Sequence, residues 1–308
     1  VKIPIIILII TSLILTSCEI MPTEEETEKI TEKLTGNQGI SMNFVPNIPP
    51  TRVYEGDITV MIQLENKGTY DLPEKQGTIY LSGFDDKIIN IKEVKTGMDL
   101  PKLDGRSLYR KQGDIEQQTF TGTINKLTVE KYNTIILATN CYKYKTKAAS
   151  AACIDPDPYT TAGQPKICTP TNIAMSGGQG APIGITKIEV DPAKGKTRFA
   201  IHIKNIGTGT AYKDTEKNKC NPYSNTGLSF TDINLIKVEE IEISDKKLND
   251  LECKPLDNDK YLRLTNGEGT IYCTMNTGTG AAYITPISIT LSYGYRDTAT
   301  KQIEVRKT

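Results

Sequence analysis

Ile62-Gln63-Leu64-Glu65-Asn66-Lys67-Gly68-Thr69 and Ile201-His202-Ile203-Lys204-Asn205-Ile206-Gly207-Thr208 carry one pattern twice, 139 positions apart. In each copy apolar and polar residues alternate: Val60, Ile62 and Leu64 against Met61, Gln63 and Glu65, then Phe199, Ile201 and Ile203 against Ala200, His202 and Lys204. Period-2 alternation ending in an Asn-x-Gly turn predicts a half-buried β-strand. Working outward, Phe84-Asp85-Asp86 matches Phe230-Thr231-Asp232 at a displacement of 146, and Gly122-Thr123-Ile124 matches Gly269-Thr270-Ile271 at 147. Tyr142-Lys143-Tyr144-Lys145 matches Tyr293-Gly294-Tyr295-Arg296 at 151. Preserved order with a growing displacement predicts a duplicated domain whose second copy has longer loops.

Turn residues recur between the strands at Asp104-Gly105, Asn266-Gly267 and Gly278-Thr279-Gly280, and no long helical period interrupts them. The expected class is all-β, with two β-sandwiches in tandem. Asp155-Pro156-Asp157-Pro158-Tyr159 through Gly177-Gly178-Gln179-Gly180-Ala181-Pro182 predicts a linker or elaborated hairpin, with the boundary near residue 180. The expected domains are therefore 39–180 and 181–308.

Composition narrows the chemistry. The 308 residues hold 37 basic and 37 acidic side chains, so no net field favours nucleic acid. His202 is the single histidine, which excludes a His-cluster metal site. It falls on the polar face of its strand, and no Gly-x-Ser-x-Gly elbow accompanies it, so no hydrolase triad is expected. Fifteen tyrosines and no tryptophan suit a strand-rich fold.

The N-terminus reads as an export signal. Val1 is expected to be an initiator read from a non-AUG start, and Lys2 forms a minimal positive region. The apolar run from Ile3 through Leu15 is shorter than the roughly 20 residues of a bilayer span, which suits a signal-peptide core. It ends in Leu15-Thr16-Ser17-Cys18, which resembles the lipobox of prokaryotic lipoproteins. That resemblance implies a signal peptide over 1–17, cleavage before Cys18 and lipid attachment there. Residues 18–38 are expected to form a tether, helical or disordered, with a capping box at Thr23 and Glu26.

Alternating strand, Asn-x-Gly turn and late Tyr-x-Tyr strand together resemble the immunoglobulin-like domains of prokaryotic surface proteins, the CARDB-type adhesion module being the nearest named family. The chain also resembles lipoproteins of small-genome archaea. These resemblances imply immunoglobulin-like folds and a cell-surface location, with no chemistry attached.

The remaining candidates are weaker. Asp85-Asp86, Asp155-x-Asp157 and Asp257-x-Asp259 are expected to be turn-forming aspartates, with Ca²⁺ at Asp257 and Asp259 as the alternative. The Gly-rich stretches 176–180 and 207–210 precede no helix, so they are expected to be loops rather than phosphate cradles. Tyr142, Tyr144, Tyr293 and Tyr295 are expected to pack in the sandwich cores, with a binding surface as the alternative. No catalytic residue, metal or cofactor is expected.

Six cysteines beyond Cys18 remain: Cys141, Cys153, Cys168, Cys220, Cys253 and Cys273. In an exported chain they are expected to form disulfides, and the absence of Cys-x-x-Cys argues against zinc. Cys153 and Cys168 flank a turn-rich segment containing Gly163 and are expected to pair. Cys273 then pairs with Cys220 or Cys253, and either one bridge crosses from Cys141 to the second repeat or two thiols stay free. The expected function is a non-catalytic, membrane-anchored surface protein, in adhesion or envelope structure, partnered by a protein, a surface polymer or itself. The alternative is a substrate-binding accessory of a membrane complex, or an extracellular hydrolase with a cleft between the repeats.

Overall fold

A computed structural model describes residues 35–160 and 166–308, all within one compact unit that spans Lys33–Thr308. The expected signal peptide, Cys18, most of the expected tether and Gly163 lie outside the described residues. The chain is all-β. Its strands are β1 (Ile40–Phe44), β2 (Arg52–Tyr54), β3 (Gly56–Asn66), β4 (Gly77–Ser82), β5 (Ile89–Ile91), β6 (Met98–Asp99), β7 (Ile115–Ile124), β8 (Lys131–Ile154) and β9 (Ile173–Ala174). There follow β10 (Ile183–Ala193), β11 (Lys196–Asn205), β12 (Thr210–Tyr212), β13 (Leu235–Ile243), β14 (Lys246–Lys247), β15 (Glu252–Lys254), β16 (Tyr261–Arg263), β17 (Glu268–Asn276) and β18 (Tyr283–Arg306).

The last strand of each repeat, β8 and β18, is 24 residues long, far beyond the usual strand of about 5–6. The two pair antiparallel along their whole length, from Lys131 opposite Arg306 to Ile154 opposite Tyr283. They form the middle of a nine-stranded sheet in the order β14-β13-β18-β8-β4-β6, with β12, β16 and β2 attached. Each repeat therefore ends in a strand that completes the other's sheet. Pairing is antiparallel except for β2, which runs parallel to the end of β18.

The middle of this ladder is a quasi-two-fold axis. Lys143 lies opposite Gly294, Tyr142 opposite Tyr295, and Tyr144 opposite Tyr293. Residues 151 positions apart are thus equivalent across the axis. Even-numbered side chains of β8 and odd-numbered ones of β18 share one face, and that face is buried from Ile136 to Ile154 and from Ile287 to Val305 at nearly every apolar position. Gly294 has a packing reason: a Cβ there would fall 2.2 Å from the Tyr212 ring, which lies against the opposite face.

Two smaller sheets complete the fold, β1-β3-β7-β5 from the first repeat and β15-β17-β11-β10 from the second, the latter extended at its edge by β9, which precedes residue 180. The predicted alternation holds in both. Val60, Ile62 and Leu64 of β3, and Phe199, Ile201 and Ile203 of β11, are buried in one continuous apolar cluster with the central ladder. At about 1.5–3 kcal/mol per fully buried aliphatic or Phe side chain, these two strands anchor the core.

Strand pairing corrects two of the four sequence matches. Leu64 of β3 pairs with Glu116, and its counterpart Ile203 pairs with Gly269, so Gly269 is equivalent to Glu116 and not to Gly122. Phe84 follows β4, whereas Phe230 precedes β13, the strand that occupies the place of β4. The Asn-x-Gly and Tyr-x-Tyr matches stand. Three-residue strings in sheets recur by composition alone, whereas these two motifs are tied to each other by hydrogen bonds described below.

Between β12 and β13 the second repeat inserts residues 213–234, which cross the back of the first repeat. Asn221 Nδ2 donates to the Lys95 carbonyl (2.9 Å), and the Tyr223 hydroxyl donates to the Leu81 carbonyl (3.0 Å). Tyr80, Cys141, Tyr212 and Cys220 form a small second core beneath this insertion. The Cys141–Cys220 disulfide fixes it there, so one bridge does cross between the repeats. Cys153–Cys168 forms as expected, and Cys273 pairs with Cys253, directly across the β15–β17 ladder.

Candidate functional site

The Asn-x-Gly turn and the Tyr-x-Tyr strand meet at each end of the quasi-two-fold. Asn66 Oδ1 accepts from the Gly68 amide (3.1 Å), closing the turn, and from the Tyr144 hydroxyl (2.9 Å). Its Nδ2 donates to the carbonyls of Tyr70 and Leu103, each at 2.8 Å. In the second repeat Asn205 Oδ1 accepts from Gly207 (3.3 Å) and Tyr295 (3.0 Å), and Nδ2 donates to the Gly209 carbonyl (2.9 Å). One tyrosine of each pair is thereby latched to the turn of its own repeat.

The other tyrosine of each pair holds the first strand. Ile40 of β1 donates its amide to the Tyr142 hydroxyl (3.2 Å), and Ile183 of β10 donates to the Tyr293 hydroxyl (3.4 Å). Edge-to-face contacts link the rings, with centroids 5.8 Å apart for Tyr142–Tyr144, 6.0 Å for Tyr142–Tyr295 and 6.2 Å for Tyr293–Tyr295. All four rings are buried and packed against one another, and Tyr295 also borders the smaller cavity described below. Desolvation raises the pKa of each.

Symmetry fails one step further along the ladder. The Tyr293 hydroxyl shares a hydrogen bond with Thr146 Oγ1 (2.9 Å), which also donates to the Ile183 carbonyl (2.6 Å). Opposite Thr146 stands Leu291, fully buried. At the equivalent place the Tyr142 hydroxyl donates to Asp297 Oδ2 (3.3 Å), and opposite Asp297 stands Asn140. Asn140 is 0% exposed, and neither its Oδ1 nor its Nδ2 has a hydrogen-bond partner. Burial pushes the Asp297 carboxyl up to about 6, with the Tyr142 hydroxyl offsetting only part of the cost. Asp297 borders a cavity of about 200 Å³ whose other walls include Asn37, Gln38, Ser41 and Thr208. Thr208, Asp297 and Thr298 separate it from a larger cavity of about 680 Å³ beneath the insertion.

The remaining candidates are dispersed. Asp85, Asp155 and Asp257 each accept the backbone amide two residues ahead, from Lys87, Asp157 and Asp259, as turn aspartates do. Asp257 Oδ1 also accepts the Tyr261 amide (2.7 Å). His202 is half-buried on the outer face of β11, between Thr270 and Glu189. Among the described residues no group of three or more His, Cys, Asp or Glu could hold a metal ion. No helix among them is long and apolar enough to cross a membrane. Three disulfides mark the protein of an oxidising, extracellular environment.

Sequence reading missed Asn140 and Asp297. The signal was present, since the displacement of 151 that aligns the tyrosines also sets Asp297 against Thr146 and Asn140 against Leu291.

No family model and no curated protein matches the chain. Among solved structures it is similar to the secreted serine protease VesC from Vibrio cholerae, at 9% identity and a TM-score of 0.20, over 85% of this chain and 51% of that one. The chain thus spans about half the length of that protein. It is also similar to the collagen binding domain of the Erysipelothrix rhusiopathiae surface protein RspB, at 8% identity and a TM-score of 0.15, over 88% and 91% of the two chains.

Proposed function

We propose that this chain is a non-catalytic surface protein, lipid-anchored at Cys18, that displays two fused immunoglobulin-like sandwiches, over 39–180 and 181–308, for adhesion or envelope assembly. The observation that carries the reading is the shared ladder. What joins the repeats is 24 residue pairs of continuous sheet and four packed tyrosines, with the two cavities at their border. The hydrolase alternative asks for a cleft there lined by Asp85, Asp86 or Asp257, and Asp85 and Asp257 are instead occupied by their own turns. A rigid body on a tether suits presentation of a fixed surface, and the partner is a protein, a surface polymer or a second copy of the chain. Three disulfides suit the same location.

Expression of the full chain beside Cys18→Ser tests the anchor. The expected result is lipid labelling and membrane retention of the first, with a soluble or unprocessed product from the second. Equal retention at unchanged mass overturns the anchor. Purified residues 35–308 are then offered to intact cells, to isolated envelope polymer and to themselves, and binding to none of the three overturns adhesion.

A further inference from the structure

We propose that the cavity beneath the insertion binds a sugar acid, one carboxylate on a hydroxyl-bearing ring, taken free or as a unit of an acidic polysaccharide. The cavity, of about 680 Å³, falls within the ordinary range of small-molecule sites. Its floor is the face of the central ladder turned away from the four tyrosines. There Thr139 and Thr298 stand opposite each other, and Thr210 of β12 stands opposite Arg296. Its roof is the inserted segment, held down by the Cys141–Cys220 disulfide and by the Asn221 and Tyr223 hydrogen bonds to the first repeat. The roof thus spans this part of the floor without filling the space above it.

Charge selects the ligand. Arg296 is half-buried on the floor, and among the described residues its guanidinium makes no ion pair and no hydrogen bond. Its counterpart across the quasi-two-fold, Lys145, is neutralised by Glu239 at 2.6 Å. Asp297, next in the chain, turns its carboxyl to the Tyr142 hydroxyl on the other face. Lys219, on the roof, is already paired with Glu216 (3.1 Å) and Asp232 (3.0 Å). One uncompensated guanidinium is left, and its planar fork of donors matches a carboxylate bidentately. Around it Ser82, Thr139, Thr210 and Thr298 offer hydroxyls that no side chain or carbonyl of the described residues engages, which suits the hydroxyls of a sugar. Leu137 and Leu228 supply apolar surface for the C–H face of the ring. The polymer source rests on the proposed surface role. The site itself does not, and loss of the anchor or of adhesion leaves it standing.

NMR titration of isotope-labelled residues 33–308, the whole compact unit with its disulfides intact, tests the site with sodium galacturonate, galactose and sodium acetate at matched ionic strength. Saturable shifts with galacturonate are expected at the amides of Arg296, Thr298 and Ser224, with a Kd on the order of 10⁻³ M. Galactose and acetate are each expected to bind at least about tenfold more weakly. Arg296→Gln is expected to weaken galacturonate about ten- to hundredfold, and to fold, because that guanidinium holds nothing in place. Arg198→Gln removes the same charge from an exposed pair with Asp191 and is expected to change nothing. A short oligogalacturonate separates the sources: binding at least as tight as the monomer's assigns the ligand to a polymer, and weaker binding assigns it to a free sugar acid. Shifts confined to residues outside the cavity, or no saturable shift at all, overturn the site without recourse to either variant. Equal affinity for galacturonate and galactose or acetate, or an undiminished response in Arg296→Gln, overturns it as well.

Discussion

The two ends of the tyrosine core share a backbone and differ in what they seal. At one end Tyr293, Thr146 and Leu291 close a buried contact in which each hydroxyl is paired. At the other Tyr142 faces Asp297 and Asn140, and the polar atoms outnumber their partners. A duplicated scaffold thus carries its own control: what both halves keep is what the fold requires, and what only one half keeps is free to serve something else. The Asn66–Tyr144 and Asn205–Tyr295 latches belong to the first kind, and Asp297 to the second.

Moving the polar amide into the sealed end breaks the comparison most severely. Leu291→Asn removes a buried aliphatic chain and strands an amide without partners, so an expected loss of about 3–5 kcal/mol should appear as a lower urea midpoint. The reciprocal Asn140→Leu is expected to stay within about 1 kcal/mol of the unsubstituted protein or to gain stability. Equal losses from the two changes would erase the distinction between the ends.

Next in size is the contrast between the latches. Asn66 is 0% exposed and donates to two carbonyls, whereas Asn205 is half-buried and donates to one. Asn66→Ala is therefore expected to cost about 3 kcal/mol and Asn205→Ala about half of that, measured by the same denaturation. The smallest effect is electrostatic. Asp297 titrates at about 6 in the folded chain and near 3.9 when unfolded, so the folded state is favoured below about pH 4 and loses that advantage as pH rises past 6. Asp297→Asn is expected to raise stability at pH 8 by about 1–2 kcal/mol and to change nothing at pH 3.

Much of this architecture was legible in the chain. Alternation at Val60–Leu64 and Phe199–Ile203 named the core strands and their faces, because period 2 is a local property of the backbone. The Cys153–Cys168 pair was legible because its closing segment is short and rich in turns. That Tyr142–Tyr144 and Tyr293–Tyr295 pack against each other was not, since pairing between strands 151 residues apart leaves no local mark. Two tandem modules is what local signals can express, because each Tyr-x-Tyr strand sits late in its own repeat and only the pairing of β8 with β18 places it beside the other's sheet. Asn140 and Asp297 were hidden for a related reason. A buried polar group announces itself only when its neighbours across the sheet are known.

The 24-residue ladder also has a timetable. Its closest partners, Ile154 and Tyr283, lie 129 residues apart, and its most distant, Lys131 and Arg306, lie 175 apart. At roughly 5–20 residues per second of synthesis, β8 waits about 6–35 s before β18 has been made. Throughout that interval one flank of β8 is an unpaired strand edge, rich in Ile, Ala and Thr and open to any other extended chain. Lys143, Lys145 and Lys147, set on alternate positions along it, place like charges where a second copy of the same edge would pair, an arrangement that disfavours edge-to-edge association.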